Sequence, residues 1–305
     1  MKRWVRRTLA APLLLMAVLL IYGVGIEPRF ILAVDRQTAI LPHLPSSWNG
    51  QRVVVIGDIH AGMWLANTGM AEHAVHQIVA EHPAAVFLLG DVVTAPGKAL
   101  PGELATMTRI LRPLAMARLP TYAVLGNHDG VGEPGSGFAA HPEEAARVRK
   151  ALVALGIRVL QNSAAALPPQ RREETAHDAG SRLYVVGIAL PLARGNQPPE
   201  ALRAVPPSAA RIVIMHDPDA FPYLPPGSAP LGIAGHTHCG QVRLPFVAHW
   251  SWLMLLERRV VEDGWNDHFG QRGNRLYVNC GIGFSVAPVR IADPPQLTIF
   301  TLRPS

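Results

Sequence analysis

Cysteine is scarce in this chain, with only Cys239 and Cys280 among 305 residues. Small secreted scaffolds need many paired cysteines, and structural zinc sites draw on closely spaced thiolate pairs, so the sequence excludes both. Charged residues make up 16% of the chain and aromatic residues 6%. The low charge excludes long disordered tails. The few aromatics argue against extended stacking on single-stranded nucleic acid.

The basic excess is concentrated at one end of the chain. There are 28 basic and 22 acidic residues, a net charge of +6. Four basic residues precede the first acid, Glu27: Lys2, Arg3, Arg6 and Arg7. Subtracting these four leaves +2 for the rest of the chain. Because a nucleic-acid binder carries its basic residues on the binding domain, no nucleic-acid partner is expected.

An uncharged apolar run follows this basic end. Thr8 to Ile26 gives 19 residues, near the lower limit of about 17–25 for a helix that spans a bilayer. A retained anchor is favoured over a cleaved signal peptide, since no clear A-x-A cleavage site follows. Residues 1–7 should then stay in the cytoplasm and the rest of the chain should lie outside. This leaves residues 27–51 as a connecting segment and 52–305 as the main domain.

Six apolar, β-branched runs predict strands that are buried on both faces. They are Arg52–Asp58, Ala84–Asp91, Thr121–Asp129, Arg182–Ile188, Arg211–Asp217 and Leu231–His238. Gly69–Pro83 and His141–Gly156 have apolar residues three and four apart, which predicts helices between the strands. The alternation indicates an α/β protein with a layered β-sheet core flanked by helices.

Five of the six runs end in Asp, Asn or His, where α/β folds form ligand sites. The candidates are Asp58, His60, Asp91, Asn127, His128, His216, His236 and His238. A lone buried histidine is more often a core residue, and a lone Gly-Asp is usually a turn, but five such ends are hard to explain by structure alone. Carboxylates, an amide and imidazoles together suit Mn, Fe or Zn better than Ca or Mg.

The order of these motifs, D-x-H, GD, GNHD, a lone His and GHTH, resembles the calcineurin-like metallophosphoesterase superfamily from about Val53 to Phe300. "EPR" after the apolar run, "HDPD", "GHTHCGQVRLPF" and "GIGFSVAPVR" are similar to its membrane-anchored bacterial branch. That branch includes phosphodiesterases and a diphosphatase that acts on UDP-diacylglucosamine. The resemblance implies the same fold, a catalytic domain on the outer side of the inner membrane, and two partners, a phosphate-ester substrate and membrane lipid. A lipid-linked substrate such as UDP-diacylglucosamine would combine the two.

The resemblance also implies two metal sites and a catalytic histidine. Asp58, His60, Asp91 and His238 would hold one cation, and Asp91, Asn127, His216 and His236 the other, with Asp91 bridging. Two divalent cations, Mn²⁺ ahead of Fe or Zn, would lower the pKa of a water so that hydroxide attacks the phosphorus. His128 would contact a phosphoryl oxygen or protonate the leaving group.

Phosphodiester or diphosphate hydrolysis is therefore the main hypothesis. A phosphomonoesterase and a non-catalytic membrane protein that keeps the metal site as structure are the alternatives. A superfamily nuclease is disfavoured by the weak charge and the few aromatics.

Three features of the chain depart from the family pattern or add to it. Thr94 stands where many members have Asp or Asn after GD, so an acidic partner for His128 is missing there. Cys239 stands where many relatives have Gly, and we expect both cysteines to be free thiols. Residues 246–259 combine two tryptophans, aliphatic residues and two arginines, a composition found in interfacial membrane segments, although a core element is favoured.

Overall fold

A computed structural model describes residues 2–94, 97–132, 139–168, 170, 182–189, 200–244, 250–251 and 263–305 of the chain. The helices are α1 Lys2–Leu20, α2 Glu27–Phe30, α3 Thr68–Glu81, α4 Leu100–Met116, α5 Pro142–Ala154 and α6 Glu200–Arg203. A π-helical stretch, Ile21–Ile26, joins α1 to α2. Most of the segment from 246 to 259 lies outside the described residues, apart from Trp250 and Ser251.

The strands form two six-stranded sheets. The strands of the first sheet, in spatial order, are β1 Ala33–Leu41, β12 Gln296–Pro304, β2 Arg52–Ile56, β3 Ala85–Leu88, β4 Thr121–Ala123 and β5 Arg158–Val159. Those of the second are β10 Gly264–Asn266, β11 Leu276–Val278, β9 Gly232–Ala234, β8 Ala210–Met215, β7 Leu183–Ile188 and β6 Ser163–Ala166. The six predicted runs are all strands, and the predicted helices are α3 and α5.

The two sheets pack face to face, and helices cover the outer faces. Phe87 of β3 and Ile214 of β8 lie in one apolar cluster between the sheets. Ile78 of α3 and Leu111 of α4 pack with residues of the first sheet on its outer face. Phe221, in the 3₁₀ helix Pro218–Tyr223, packs on the outer face of the second sheet. The result is a four-layer α/β/β/α arrangement, as the predicted fold class requires.

The segment 27–51, predicted as a connection, contains β1 and belongs to the first sheet. β1 pairs in parallel with the C-terminal strand β12, over nine residue pairs from Ala33↔Gln296 to Leu41↔Pro304. Glu81, near the end of α3, bonds Arg36 of β1 and Arg52 of β2 at 2.6 Å each. The ordered domain therefore begins before residue 52.

Candidate dimetal site

All eight predicted site residues meet at one edge of the two sheets. β2, β3 and β4 are parallel neighbours in the first sheet, and β8 and β9 are parallel neighbours in the second. Because the carboxyl ends of parallel strands lie on one edge, the loops that follow them converge. The first sheet supplies Asp58, His60, Asp91, Asn127 and His128, and the second supplies His216, His236 and His238.

The loops that carry these side chains have an uncommon backbone conformation. Five of the eight residues are non-glycine residues with positive φ: Asp58 52°, His60 48°, Asp91 51°, His236 71° and His238 48°. L-residues adopt this left-handed region at an energetic cost, and such residues concentrate at functional sites where surrounding contacts hold them. Backbone hydrogen bonds provide such contacts: the N–H of Asp58 donates to the carbonyl of Gly90, and the N–H of His60 donates to the carbonyl of Asp91.

The first group of ligand atoms comes from Asp58, His60 and His238, all buried. The Nε2 atoms of His60 and His238 lie 3.1 Å apart. His238 Nε2 lies 3.5 Å from Asp58 Oδ1, and the Asp58 carboxylate also accepts a hydrogen bond from the backbone N–H of His236 at 3.1 Å. Two nitrogens and one carboxylate oxygen therefore point at a common position.

The second group comes from Asn127, His216 and His236. His216 Nδ1 donates to the carbonyl of Leu89 at 2.8 Å, so its Nε2 faces the site. That Nε2 lies 2.9 Å from Asn127 Oδ1 and 3.0 Å from His236 Nδ1. A carbonyl that receives the remote N–H of a histidine fixes the tautomer and the ring orientation that metal ligation requires.

Asp91 lies between the two groups. Its Oδ2 is 3.5 Å from His60 Nε2 and 3.3 Å from His216 Nε2. Its Oδ1 accepts a hydrogen bond from the backbone N–H of His128 at 2.9 Å. Gly126 allows this approach, because a Cβ there would lie 2.8 Å from both Cγ and the backbone N of Asp91. One carboxylate therefore borders both groups.

Burial and charge set the protonation of the cluster. Burial lowers the pKa of His60 to about 3 and holds that of His238 well below its ordinary value. Burial raises the pKa of Asp58 to about 7. Burial acts against ionisation of Asp91 too, but the charges of His216 and His60 hold its pKa below the ordinary value. Burial likewise opposes the charged form of His216, yet the Asp91 carboxylate raises its pKa to about 10.

The donor set fits divalent cations. The ligand atoms of Asp58, His60 and His238 all lie within 4.8 Å of one another, and so do those of Asp91, His216 and His236. The 3.0–3.1 Å nitrogen pairs, His60 with His238 and His216 with His236, face each other as acceptors unless a proton or a cation lies between them. Two nitrogens that bind the same cation, each at about 2.0–2.1 Å, have a similar separation. Burial keeps His60 and His238 neutral, which is the protonation state that metal binding needs.

His128 lies at the edge of the cluster and is half-buried. Its ring meets that of His60 edge to face, with centroids 4.7 Å apart. Its Nδ1 donates to the backbone carbonyl of Thr94. Since a carbonyl oxygen only accepts, Nδ1 carries the proton, and Nε2 is the nitrogen that can take or give one. The backbone of Thr94 therefore orients His128.

A buried carboxylate that the sequence reasoning missed supports this arrangement. Glu103, in the first turn of α4, accepts a hydrogen bond from the backbone N–H of Thr94 at 2.9 Å. Asp129, which directly follows His128, accepts from the backbone N–H groups of Val92, Val93 and Gly126. Glu103 is the only acidic residue between Asp91 and Asp129, and this was the one signal in the sequence that could have identified it.

The expectation of two free thiols is wrong. Cys239 and Cys280 form a disulfide with their Cα atoms 4.9 Å apart. The physical reason lies in the loop from Asn279 to Gly283, which folds over Asp58: Gly283 N donates to the carbonyl of Asp58 at 2.7 Å. That fold brings residue 280 beside the loop that carries His238, an approach across 41 residues.

The chain belongs to the calcineurin-like phosphoesterase family, whose sequence pattern matches residues 51–240. That range includes all eight residues of the site. The family is dinuclear-metal dependent, and the protein is therefore a metal-dependent phosphoester hydrolase.

Three relatives carry names that agree with this class. The chain is 27% identical over 251 residues to phosphodiesterase YaeI of Escherichia coli, covering 82% of each chain. It is 24% identical to the uncharacterized metallophosphoesterase YkuE of Bacillus subtilis, covering 92% of this chain and 89% of the relative. It is 26% identical to a transmembrane protein with metallophosphoesterase domain of Danio rerio, covering 98% of this chain but 63% of that one.

Proposed function

We propose that this protein hydrolyses a phosphodiester or diphosphate bond at a two-metal centre. The observation that supports this best is the position of Asp91, whose Oδ2 borders His60 at 3.5 Å and His216 at 3.3 Å, one histidine from each ligand group. Two cations that share a carboxylate can stabilise both the attacking and the leaving oxygen of an in-line displacement.

In this proposal each group of ligands holds one cation and Asp91 is shared. The first cation takes Asp58, His60 and His238, and the second takes Asn127, His216 and His236. Mn²⁺ is favoured, and Fe and Zn suit the same mixture of nitrogen and oxygen donors. When bound, the cations supply Lewis-acid stabilisation of the phosphoryl group and acidify the attacking water.

The half-buried side chains of His128 and His236 mark where substrate enters. Hydrolysis forms a bond between a water oxygen and phosphorus and breaks the bond between phosphorus and the leaving oxygen. The leaving oxygen takes up a proton. His128, held by Thr94 through Nδ1, donates from Nε2 to a phosphoryl oxygen or to that leaving oxygen. Because His128 lies beside His60 and Asp91, it is within reach of both the phosphoryl oxygen and the leaving oxygen.

The test combines metal content with activity on bis-p-nitrophenyl phosphate, p-nitrophenyl phosphate and UDP-diacylglucosamine. Mn²⁺ should restore activity after chelation, and the diester or the diphosphate should be preferred over the monoester. Asp91→Asn should abolish activity, because the shared ligand loses its charge. His128→Ala should lower kcat by about 10²–10⁴-fold with two metals per chain retained.

The two variants control for each other, since one removes a shared ligand and the other a non-ligand of the same cluster. Full activity of Asp91→Asn, or of exhaustively chelated protein, would overturn the mechanism. A chain that binds two metals but turns over none of the three substrates would favour the non-catalytic alternative.

We also propose that residues 8–26 anchor the protein in the inner membrane as a single pass, with residues 1–7 in the cytoplasm and the catalytic domain outside. In the structure the candidate span is Ala10–Phe30, 21 residues with a mean hydropathy of 2.0, and only 11% of its apolar window is buried within the protein. The disulfide supports the outer location, because disulfides persist in oxidising compartments such as the periplasm. Protease added to intact spheroplasts should then degrade the domain, and full protection would place it in the cytoplasm.

The end of the anchor helix is attached to two loops of the candidate site. Arg29 donates to the carbonyl of Leu65 at 3.0 Å, in the loop that follows His60. Glu27 accepts from the backbone N–H of Asp293 at 2.6 Å. In the same segment the backbone N–H of Ile291 donates to the carbonyl of Gln241, which directly follows the GHTHCG loop. These contacts favour a site that opens close to the bilayer.

Exposed apolar side chains flank these contacts and support a lipid-linked substrate. Trp64 is 65% exposed, Phe30 78% and Val286 75%. Tryptophan and aliphatic residues at the end of a membrane helix are suited to the lipid interface. A phosphate carried by a membrane lipid, as in UDP-diacylglucosamine, would reach the site without leaving the bilayer surface.

Trp64→Ser combined with Leu65→Ser tests this in the full chain reconstituted in vesicles. Hydrolysis of the lipid-borne substrate should fall severalfold while hydrolysis of bis-p-nitrophenyl phosphate stays unchanged. Met116→Ser is the matched control, because Met116 is 75% exposed at the end of α4, away from the anchor contacts. Equal loss on both substrates, or no loss on the lipid, would contradict the membrane-facing site.

A further inference from the structure

The disulfide joins the two loops that surround the first ligand group. Cys239 directly follows His238, and Cys280 directly precedes Gly281. Gly281 packs on the Asp58 side chain, since a Cβ there would lie 2.5 Å from Asp58 Cβ. Both cysteines are buried. The bond therefore connects the backbone beside one ligand to the backbone that braces another.

The loop around His238 needs such a restraint. His236, His238, Cys239 and Gln241 all have positive φ, between 48° and 71°, and none is a glycine. A non-glycine residue leaves this conformation readily unless other contacts hold it. The described contacts include a 3.2 Å hydrogen bond from Cys239 N to Thr237 Oγ1 and those of the Gln241 amide with the 285–289 segment.

The partner loop is itself firmly fixed. Cys280 N donates to Gln296 Oε1 at 2.9 Å, and its carbonyl accepts from the fully buried Arg290 guanidinium at 2.7 Å. Arg290 also donates to the carbonyl of Gly283, and Gly283 N bonds the Asp58 carbonyl. A bond to residue 280 therefore ties the His238 loop to an anchored part of the fold.

We propose that the Cys239–Cys280 disulfide positions His238 against Asp58 and His60 and thereby sets the affinity of the cation they hold, so that reducing the bond weakens this metal site. The inference rests on the proposed function for the assignment of the ligands. A phosphine reductant supplies the two electrons: the S–S bond breaks, both sulfurs take protons from water, and the phosphine takes the water oxygen as its oxide.

The experiment titrates Mn²⁺ into metal-free protein and measures bound metal per chain, with far-UV circular dichroism as a check on the fold. Four samples are compared: the oxidised chain, the phosphine-reduced chain, Cys239→Ala with Cys280→Ala, and Cys239→Gly with Cys280→Ala. The oxidised chain should bind two metals. Reduction should raise the half-saturating concentration of one metal at least tenfold, which equals 1.4 kcal/mol, and leave the other unchanged.

The two double variants separate the role of the bond from that of the thiols. The alanine pair should match the reduced chain, which shows that no thiol ligand is involved, and the phosphine should not affect it. Glycine adopts positive φ without strain, so the variant with glycine at 239 should recover most of the lost affinity. If the alanine pair does not fold, the reduced chain and the glycine variant still give the comparison.

Unchanged affinity of both metals after verified reduction would overturn the inference, as would parallel weakening of both sites. Equal affinities for the glycine and alanine variants would show that backbone strain is not what the bond restrains. The oxidised chain separates the two hypotheses: if it binds two metals and reduction has no effect, only the disulfide proposal fails. If it binds none, the proposed function fails first.

Discussion

Replacing Gly126 by alanine would disturb Asp91 through one methyl group. Gly126 has φ −101° and ψ 180°, an extended conformation that alanine adopts without strain. The new Cβ would lie 2.8 Å from Asp91 Cγ and closer still to Oδ1. Ordinary carbon contacts lie at about 3.5–4.0 Å, so the carboxylate or the loop must move by roughly 0.7 Å or more.

That displacement falls on the residue between the two ligand groups, so we expect a large loss of activity without unfolding. A shift of about 1 Å at a catalytic centre can cost about 10²-fold in rate, and Gly126→Ala should lower kcat on bis-p-nitrophenyl phosphate by about 10- to 100-fold. Metal content and the melting temperature are measured on the same sample, because loss of a metal would accompany the loss of rate.

Gly69→Ala is the matched control for this variant. Gly69 lies on the exposed side of α3, and an added Cβ meets nothing within 4 Å. Alanine in a helix is favoured over glycine by about 0.5–1 kcal/mol, so this control should be slightly more stable and fully active. A Gly126→Ala protein that keeps two metals and at least a third of the parent kcat would refute the reasoning.

Two further predictions concern residues outside the ligand set. Glu103→Ala should lower kcat about tenfold with metal content unchanged, because Thr94 loses the hydrogen bond that holds it beside His128. Glu103→Gln should keep most of the parent rate, since an amide oxygen also accepts a hydrogen bond. Equal loss of kcat in both variants would mean that the charge of Glu103 matters instead. Glu81→Gln should lower the free energy of unfolding by at most about 1 kcal/mol at pH 7, since Arg36 is exposed. The bond to Arg36 lowers the pKa of Glu81, so its contribution is present above the unfolded pKa of about 4.3 and is lost as the pH falls through the folded value. The difference between the two proteins in urea unfolding should therefore shrink as the pH is lowered below the unfolded pKa.

Local patterns in the sequence predicted the strands that position the site. Apart from Arg52, the strands before Asp58, Asp91 and Asn127 consist of β-branched and apolar residues, since both faces of these strands are buried. Such strands stand out in a sequence, and the polar residues at their ends follow directly. The grouping of the eight side chains depended only on strand ends meeting at one edge.

Other features depended on contacts between distant parts of the chain. β1 is an edge strand with mixed burial, and its partner β12 begins more than 250 residues later, so no local pattern marks their pairing. The disulfide needed a Cα separation that follows from the fold of the loop over Asp58. Glu103 lies on α4, a helix that the sequence reasoning did not identify, and its role depends on a backbone bond to Thr94.

In the proposed metal centre the ligands come from both sheets, which would link cation binding thermodynamically to sheet packing. Asp58, Asp91 and Asn127 follow strands of one sheet, and His216 and His236 follow strands of the other. A cation that binds only the assembled pair stabilises it by about 1.4 kcal/mol for each tenfold excess over its dissociation constant. Linkage is reciprocal. A substitution that loosens the apolar contact between the sheets, such as Phe87→Leu, would therefore weaken metal binding at the proposed centre, and metal availability would in turn set how tightly the two halves of the domain stay together.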